Sequence, residues 1–164
     1  MRVDEVRDSL NRCENLANYV PDNKFTKFDF SIRPDLVGRQ IMEREYQICQ
    51  GINEIMAILP KYKYLFCVAD ERYKQAVGKA TTIVVKDIGD VRVSAKERNE
   101  RIARQEVKLD GEEKYTTPMA EYMNRSMLEY LVSTGENKLS MGMKMLDLAR
   151  SLLYFTKAEM GANV

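Results

Sequence analysis

The hydrophobic positions at the start of the chain repeat at alternating spacings of three and four residues. Such spacing places a single apolar stripe along a helix, as in a coiled-coil seam. Pro21 closes the pattern, because proline is strongly disfavoured inside a helix. The sequence therefore predicts a short N-terminal amphipathic helix over residues 1–20. Its stripe consists of Val3, Val6, Leu10, Cys13, Ala17 and Val20.

Residues 21–34 follow a different pattern. Phe28, Phe30 and Ile32 alternate with polar residues, and a period of two is typical of extended chain. A proline stands at each end of the segment. We therefore predict that residues 21–34 are an extended aromatic and basic arm or a short strand, with the extended part near residues 24–33. The basic residues interleaved in it are Lys24, Lys27 and Arg33.

A helical core domain is predicted over residues 35–164. Asp35 can cap the start of its first helix. An apolar seam continues in register on both sides of Pro60, which favours a kink and a tight reset of the helix equally. The glycine and aspartates of residues 87–90 mark the next break. The seam contains Ile41, Ile48, Ile52, Ile55, Leu59, Tyr62, Phe66, Ala69, Tyr73, Ala76, Ala80 and Ile83.

Two further helix starts are visible in the second half of the chain. Ser94 and Glu97 fit a capping box, which predicts a short helix reaching to about Lys108. Thr117 and Pro118 predict the start of a long C-terminal helix, since proline is favoured at the first helical position.

The C-terminal helix carries a long apolar seam. Gly135 can interrupt this helix, but the unbroken register favours a continuous one. We predict that the seam forms the interface of a helical oligomer. The interface residues are Met127, Leu131, Met141, Met145, Leu148, Leu152 and Phe155.

The composition agrees with an all-α protein. Only 8 Gly and 4 Pro occur in 164 residues, too few to supply the turns of a β-sandwich or barrel. The fold class we predict is all-α, with long helices in a helical bundle or coiled-coil-like assembly. The three cysteines form no C-x-x-C pair, and no stretch approaches the roughly 18 apolar residues of a membrane span. These features predict a cytoplasmic protein, in the host cytoplasm if the chain is viral.

The residues that most enzymes rely on are scarce. The chain contains no histidine, the commonest general base and a frequent metal ligand. Lys79 lies in a sequence that resembles a phosphate-binding loop, but Tyr73 and Ala80 stand where its glycine and its hydroxyl residue belong. We therefore expect a protein that is not an enzyme and that has neither a metal site nor a cofactor.

Basic residues are concentrated in the middle of the chain. Residues 61–108 contain 12 Lys and Arg against 7 Asp and Glu. Some of these basic residues form a stripe with seven-residue spacing on the long helix, and others form a second stripe on the short helix. Two basic stripes of this kind can follow a phosphate backbone. The alternative, with similar weight, is that both stripes are ordinary solvent-exposed helix faces, in which acidic residues lie among the basic ones. The candidate nucleic-acid contacts are Arg72, Lys79, Lys86, Arg98, Arg101, Arg104 and Lys108.

Aromatic residues near these stripes can supply stacking platforms for single-stranded bases. Three of them belong to the predicted arm and three to the long helix. They are Phe25, Phe28, Phe30, Tyr62, Tyr64 and Phe66.

The order of these features over residues 62–155 resembles the small recombination mediator proteins of T4-type phages, the UvsY-like family. A lysine-rich helix end containing Tyr73 and Lys86 is followed by a loop, a basic helix capped by Ser94, and a long C-terminal helix from Tyr122 to Phe155. The resemblance implies a helical homo-oligomer that binds single-stranded DNA and helps to load a recombinase onto it. The predicted arm has no counterpart in that family.

Two hypotheses of function follow. The first is a non-enzymatic helical oligomer that binds single-stranded DNA, with RNA as the other possible ligand. It acts as a recombination or replication mediator, with a recombinase or single-strand-binding protein as a further partner. The second is a structural, scaffold or adaptor protein, for example in phage assembly or host-factor binding, that works through helical protein–protein interfaces.

Overall fold

A computed structural model describes residues 23–89 and 91–162 of the chain. In order, the described elements are the helix α1 (Arg39–Ile88), the helix α2 (Ala95–Arg104), the strands β1 (Val107–Lys108) and β2 (Tyr115–Thr116), and the helix α3 (Pro118–Ala162). The all-α class is confirmed, since two long helices dominate and the sheet has only two short strands. The helix predicted over residues 1–20 lies outside the described residues.

The helix α1 begins later than its sequence suggests. Asp35 was expected to cap it, but Asp35 lies in a turn that Arg33 and Leu36 close by a backbone hydrogen bond. The helix begins at Arg39, directly after Gly38 with a φ of 47°. The reason is conformational, because a positive φ interrupts the right-handed helix and glycine adopts it without strain.

Pro60 neither ends nor resets α1, a single helix of 50 residues that continues past it to Ile88. Proline donates no backbone hydrogen bond, so the carbonyl of Met56 loses its helical partner. Both Pro60 and Met56 are exposed, and water can therefore satisfy that carbonyl. The predicted break at residues 87–90 is confirmed by the helix end at Ile88 and by Gly89, whose φ is 53°.

The short basic helix is confirmed at its start and wrong at its end. The Ser94 hydroxyl accepts a hydrogen bond from the Glu97 amide at 3.1 Å, which is one of the two bonds of a capping box, while the Glu97 carboxylate accepts from Arg101. The helix ends at Arg104 instead of Lys108, because Val107 belongs to a strand and is buried. Lys108 therefore leaves the helical stripe to which its spacing assigned it.

A β-hairpin that the sequence analysis missed follows α2. Its antiparallel register pairs Val107 with Thr116 and Lys108 with Tyr115. Gly111 turns the chain with a φ of 77°, and the Glu112 amide donates to the Leu109 carbonyl at 3.2 Å. The available signal in the sequence was the alternation of apolar and charged residues from Val107 to Leu109, in a segment too short to stand out.

The predicted start of the C-terminal helix is confirmed at Pro118. The Thr117 hydroxyl accepts from the Ala120 amide at 3.2 Å and so caps the first turn. The helix also continues without interruption through Gly135, as its unbroken register predicted.

The chain divides into two compact units. One comprises Asn23–Tyr62 and the described part of Leu131–Val164, and we call it the aromatic unit. The other comprises Lys63–Tyr130, apart from Asp90, and we call it the hairpin unit.

The core of the aromatic unit is built around the segment that was predicted to be an extended arm. Residues 24–27 form a turn, and residues 28–33 are neither helix nor strand. Phe25, Phe28 and Phe30 are 0%, 7% and 2% exposed, so the expectation that they stack on bases is wrong. Burial of their large apolar rings outweighs any advantage of an exposed arm. They pack with Ile48, Ile52, Ile55, Leu59 and Leu146.

The core of the hairpin unit is smaller and is made of short side chains. Ala76 and Ala80 of α1 are fully buried against Val107 and Leu109 of the hairpin. Ile102 attaches α2 to the same cluster. The alanines let the hairpin backbone approach α1 closely, which brings the hairpin's polar side chains onto the basic face of that helix.

Candidate nucleic-acid interface

Arg72 is enclosed by carboxylates within the hairpin unit. Its guanidinium donates to both oxygens of Glu121 at 2.9 Å and to both oxygens of Glu112. Glu121 is buried and also accepts from the Thr116 hydroxyl at 2.8 Å. Hydrogen bonding to Glu121, followed by that to Glu112, raises the pKa of Arg72. Arg72 thus has a structural role, and four of its five N–H donors are already used.

Lys79 holds the turn of the hairpin. Its ammonium group donates to Asp110 at 2.6 Å and to the Lys108 carbonyl at 2.7 Å. Asp110 also accepts from Gln75. The hydrogen bond from Lys79 lowers the pKa of the Asp110 carboxyl, which is therefore charged at neutral pH. Like Arg72, Lys79 is engaged inside the unit.

The remaining predicted contacts are exposed. Arg101 forms an exposed ion pair with Glu97 at 2.7 Å, one turn away on α2, and such pairs are weak. Four others have no ion-pair partner among the residues that the structure describes, and we call them the open basic set. They are Lys86 on α1, Arg98 and Arg104 on α2, and Lys108 on β1.

The hairpin adds an aromatic residue that the sequence analysis did not select. Tyr115 is the direct cross-strand partner of Lys108, and its side chain is 62% exposed. Directly paired side chains on antiparallel strands project from the same face. A cation and an exposed aromatic ring therefore stand side by side there.

The aromatic platforms predicted on α1 are only partly available. Tyr62 packs edge-on against Phe25 in the aromatic unit. In the hairpin unit, the Phe66 ring lies 5.4 Å from the Arg125 guanidinium. Tyr64 is 69% exposed and remains available for contact with a ligand.

Two clefts in the hairpin unit mix charges of both signs. In the described part of the chain, a cavity of about 490 Å³ beside the hairpin is lined by two cations, Arg72 and Lys114, and by twice as many carboxylates, so it does not suit a polyanion. The carboxylates are those of Glu106, Glu112, Glu113 and Glu121. A second cleft, of about 400 Å³, places Arg101 and Arg104 with Asp87, Glu97 and Glu100.

No group of three or more Asp, Glu or Cys side chains among the described residues is placed to hold a metal ion.

The predicted oligomer seam divides by exposure. Leu131 is buried within the chain, so its side chain is not available to a second copy. Met127, Met145 and Leu152 are half-buried. The exposed members are seven residues apart on α3, namely Met141, Leu148 and Phe155 at 40%, 45% and 64%.

No protein-family model matches the chain, and comparison with curated proteins and with solved structures finds no match.

None of the helices in the described part of the chain has both the length and the apolar character needed to cross a membrane.

Proposed function

We propose that this protein binds single-stranded nucleic acid without catalysing a reaction, as a mediator in recombination or replication. The observation that carries the proposal is the exposed pair of Lys108 and Tyr115 on the hairpin. Lysine can contact a phosphate while the tyrosine ring stacks on a base, and this combination is typical of single-strand binding. The remaining open basic set adds phosphate contacts in the same unit.

The binding would be electrostatic and independent of base sequence. Lysine and arginine displace counterions from the phosphate backbone, so affinity falls as salt rises. A few contacts in one protomer give weak binding, and several protomers on one strand would strengthen it by avidity. The exposed seam residues Met141, Leu148 and Phe155 are the interface we propose for that homo-oligomer.

The proposal places the protein in the cytoplasm, in the host cytoplasm if it is viral. Cys49 and Cys67 are both free, as expected in a reducing compartment. A recombinase or a single-strand-binding protein is the further partner that a mediator requires.

The experiment that tests the proposal is fluorescence anisotropy of a labelled single-stranded oligonucleotide, titrated at several salt concentrations. Arg98→Gln combined with Arg104→Gln is expected to weaken binding about tenfold. The plot of log affinity against log salt should become shallower by about 1.4, or about 0.7 for each lost contact.

The matched control removes two positive charges from the aromatic unit, with Arg39→Gln and Lys157→Gln. Both side chains are exposed, and this variant should bind within about twofold of the unaltered protein. If both double variants weaken DNA binding equally, the loss reflects only the net charge, and Arg98 and Arg104 are not specific contacts. Absence of binding at low salt by the unaltered protein contradicts the proposal.

A second candidate function is a structural or adaptor protein that works through helical interfaces. The observation that favours it is a second apolar stripe on α1, where Met42, Tyr46 and Met56 are 51%, 64% and 56% exposed. Apolar contacts respond little to salt, whereas phosphate contacts weaken steeply. Met42→Lys with Tyr46→Lys should abolish self-association in sedimentation velocity if the stripe on α1 is an interface.

A further inference from the structure

The turn of the β-hairpin carries three carboxylates within four residues, Asp110, Glu112 and Glu113. Asp110 accepts a hydrogen bond from Lys79 at 2.6 Å, and Glu112 accepts two from Arg72. These two cations belong to the stripe with seven-residue spacing on α1. The acidic turn thus occupies two members of that stripe.

The base and the turn of the hairpin are attached by different forces. At the base, Val107 and Leu109 are 2% and 3% exposed and pack on the buried alanines of α1. At the turn, the Asp110 side chain is 77% exposed and is held by polar contacts. Exposed ion pairs are weak and are screened by salt, whereas apolar burial is not. The turn can therefore release its cation while the base stays in place.

The two shielded cations differ in how readily they can be released. If Glu112 moves away, Arg72 remains paired with the buried carboxylate of Glu121. Among the described residues, Lys79 has Asp110 as its charged partner and otherwise donates only to the neutral carbonyl of Lys108. Lys79 is thus the cation that an incoming phosphate can take over.

We propose that the acidic turn of the hairpin is an autoinhibitory shield that occupies the basic stripe of α1 in place of phosphates. Carboxylate and phosphate oxygens are both anionic acceptors for a lysine ammonium group. When a strand binds at Lys86 and Lys108, displacement of Asp110 lets Lys79 join the contacts. The shield rests on the proposed function, because it regulates the same nucleic-acid surface.

The test compares Asp110→Asn with Glu113→Gln in the anisotropy titration at about 50 mM salt. Both variants remove one negative charge from the same turn, but Glu113 is exposed and forms no ion pair within the described residues. Asp110→Asn should tighten binding about three- to tenfold and steepen the salt dependence by about 0.7. Glu113→Gln should stay within about twofold.

Combining Asp110→Asn with Lys79→Gln should remove the gain and return the affinity to that of the unaltered protein or below. A gain that persists without Lys79 overturns the shield, since it would come from another change in the hairpin. Equal effects of Asp110→Asn and Glu113→Gln also overturn it.

The outcomes separate the two proposals. If the unaltered protein binds DNA but Asp110→Asn behaves like Glu113→Gln, only the shield is contradicted. If none of the variants binds at low salt, the shield and the proposed function are both contradicted.

Discussion

The aromatic unit and the hairpin unit use the same two long helices but are stabilised differently. In the aromatic unit, three phenylalanine rings fill a core, and glycines at 135 and 142 leave room for them. In the hairpin unit, alanines form the centre of a small core, and ion pairs hold the surrounding elements.

Asp70 and Arg125 add a further ion pair to the hairpin unit, at 2.5 Å between α1 and α3. The stability that comes from apolar burial hardly changes with salt or pH. Charged contacts hold the elements in one geometry, but salt and competing ions can displace them. The surface for which we propose regulation therefore belongs to the unit with the smaller apolar core.

The largest effect is expected from Phe25→Ala in the aromatic unit. Phe25 is fully buried, so its loss leaves a cavity and should lower the free energy of unfolding by about 3–5 kcal/mol. Urea unfolding followed by circular dichroism measures the change. Phe155→Ala is the control, because that ring is 64% exposed and should cost no more than about 0.5 kcal/mol. Similar losses of stability in the two variants would show that the buried ring stabilises the aromatic unit no more than an exposed ring does.

The next largest effect is expected from Arg72→Met in the hairpin unit. The change leaves Glu121 buried without its cation and should cost about 2–3 kcal/mol. Adding Glu121→Gln should restore part of the loss, since a neutral amide needs no cation. Arg101→Met breaks only an exposed pair and should change stability by less than about 0.5 kcal/mol in the same unfolding assay. A cost of Arg72→Met no larger than this would show that the network is peripheral.

Two glycines in the long helices should respond to alanine with opposite signs. A Cβ at Gly135 would lie 2.7 Å from Leu59 and 2.9 Å from Phe25, so Gly135→Ala should destabilise by about 1–3 kcal/mol. A Cβ at Gly78 meets nothing within 4 Å, so Gly78→Ala should stabilise by about 0.5–1 kcal/mol through helix propensity. Thermal unfolding of both variants checks the pair. Stabilisation by both would mean that the Phe25 ring can move aside.

The smallest effect is expected from acid. Hydrogen bonds from Lys79 and from Lys74 lower the pKa values of Asp110 and Asp70 in the folded hairpin unit. The unfolded chain therefore takes up these protons first as pH falls, and stability present above about pH 4 is lost below it. Urea unfolding between about pH 5 and pH 3 should show this loss. The loss should be smaller in Asp110→Asn, and an unchanged pH dependence in that variant would contradict the assignment.

Much of the fold could be predicted because helix signals are local. The apolar period marked both long helices, Ser94 and Pro118 marked two helix starts, and the register across Gly135 indicated a continuous helix. Each of these signals depends on residues within one or two turns of each other. The start of α1 was misplaced because Gly38, and not the better capping residue Asp35, decides it.

The candidate site was less predictable from sequence. Spacing identified every basic residue of the two stripes but could not separate the engaged from the open ones. Arg72 and Lys79 meet carboxylates that lie 40 and 31 residues further along the chain. Tyr115 gained its place beside Lys108 only through the hairpin register.

By itself, the sequence determined the fold class, the long helices and the number of basic residues. Helix periodicity and capping depend on residues that are close together in the chain, and composition needs no structure at all. Only the tertiary structure decided which cations are free, which aromatic rings are buried and where glycine is required. Those outcomes depend on contacts between residues that are far apart in the chain. Burying a side chain in such a contact, or pairing it there, changes its free energy more than the local sequence pattern does.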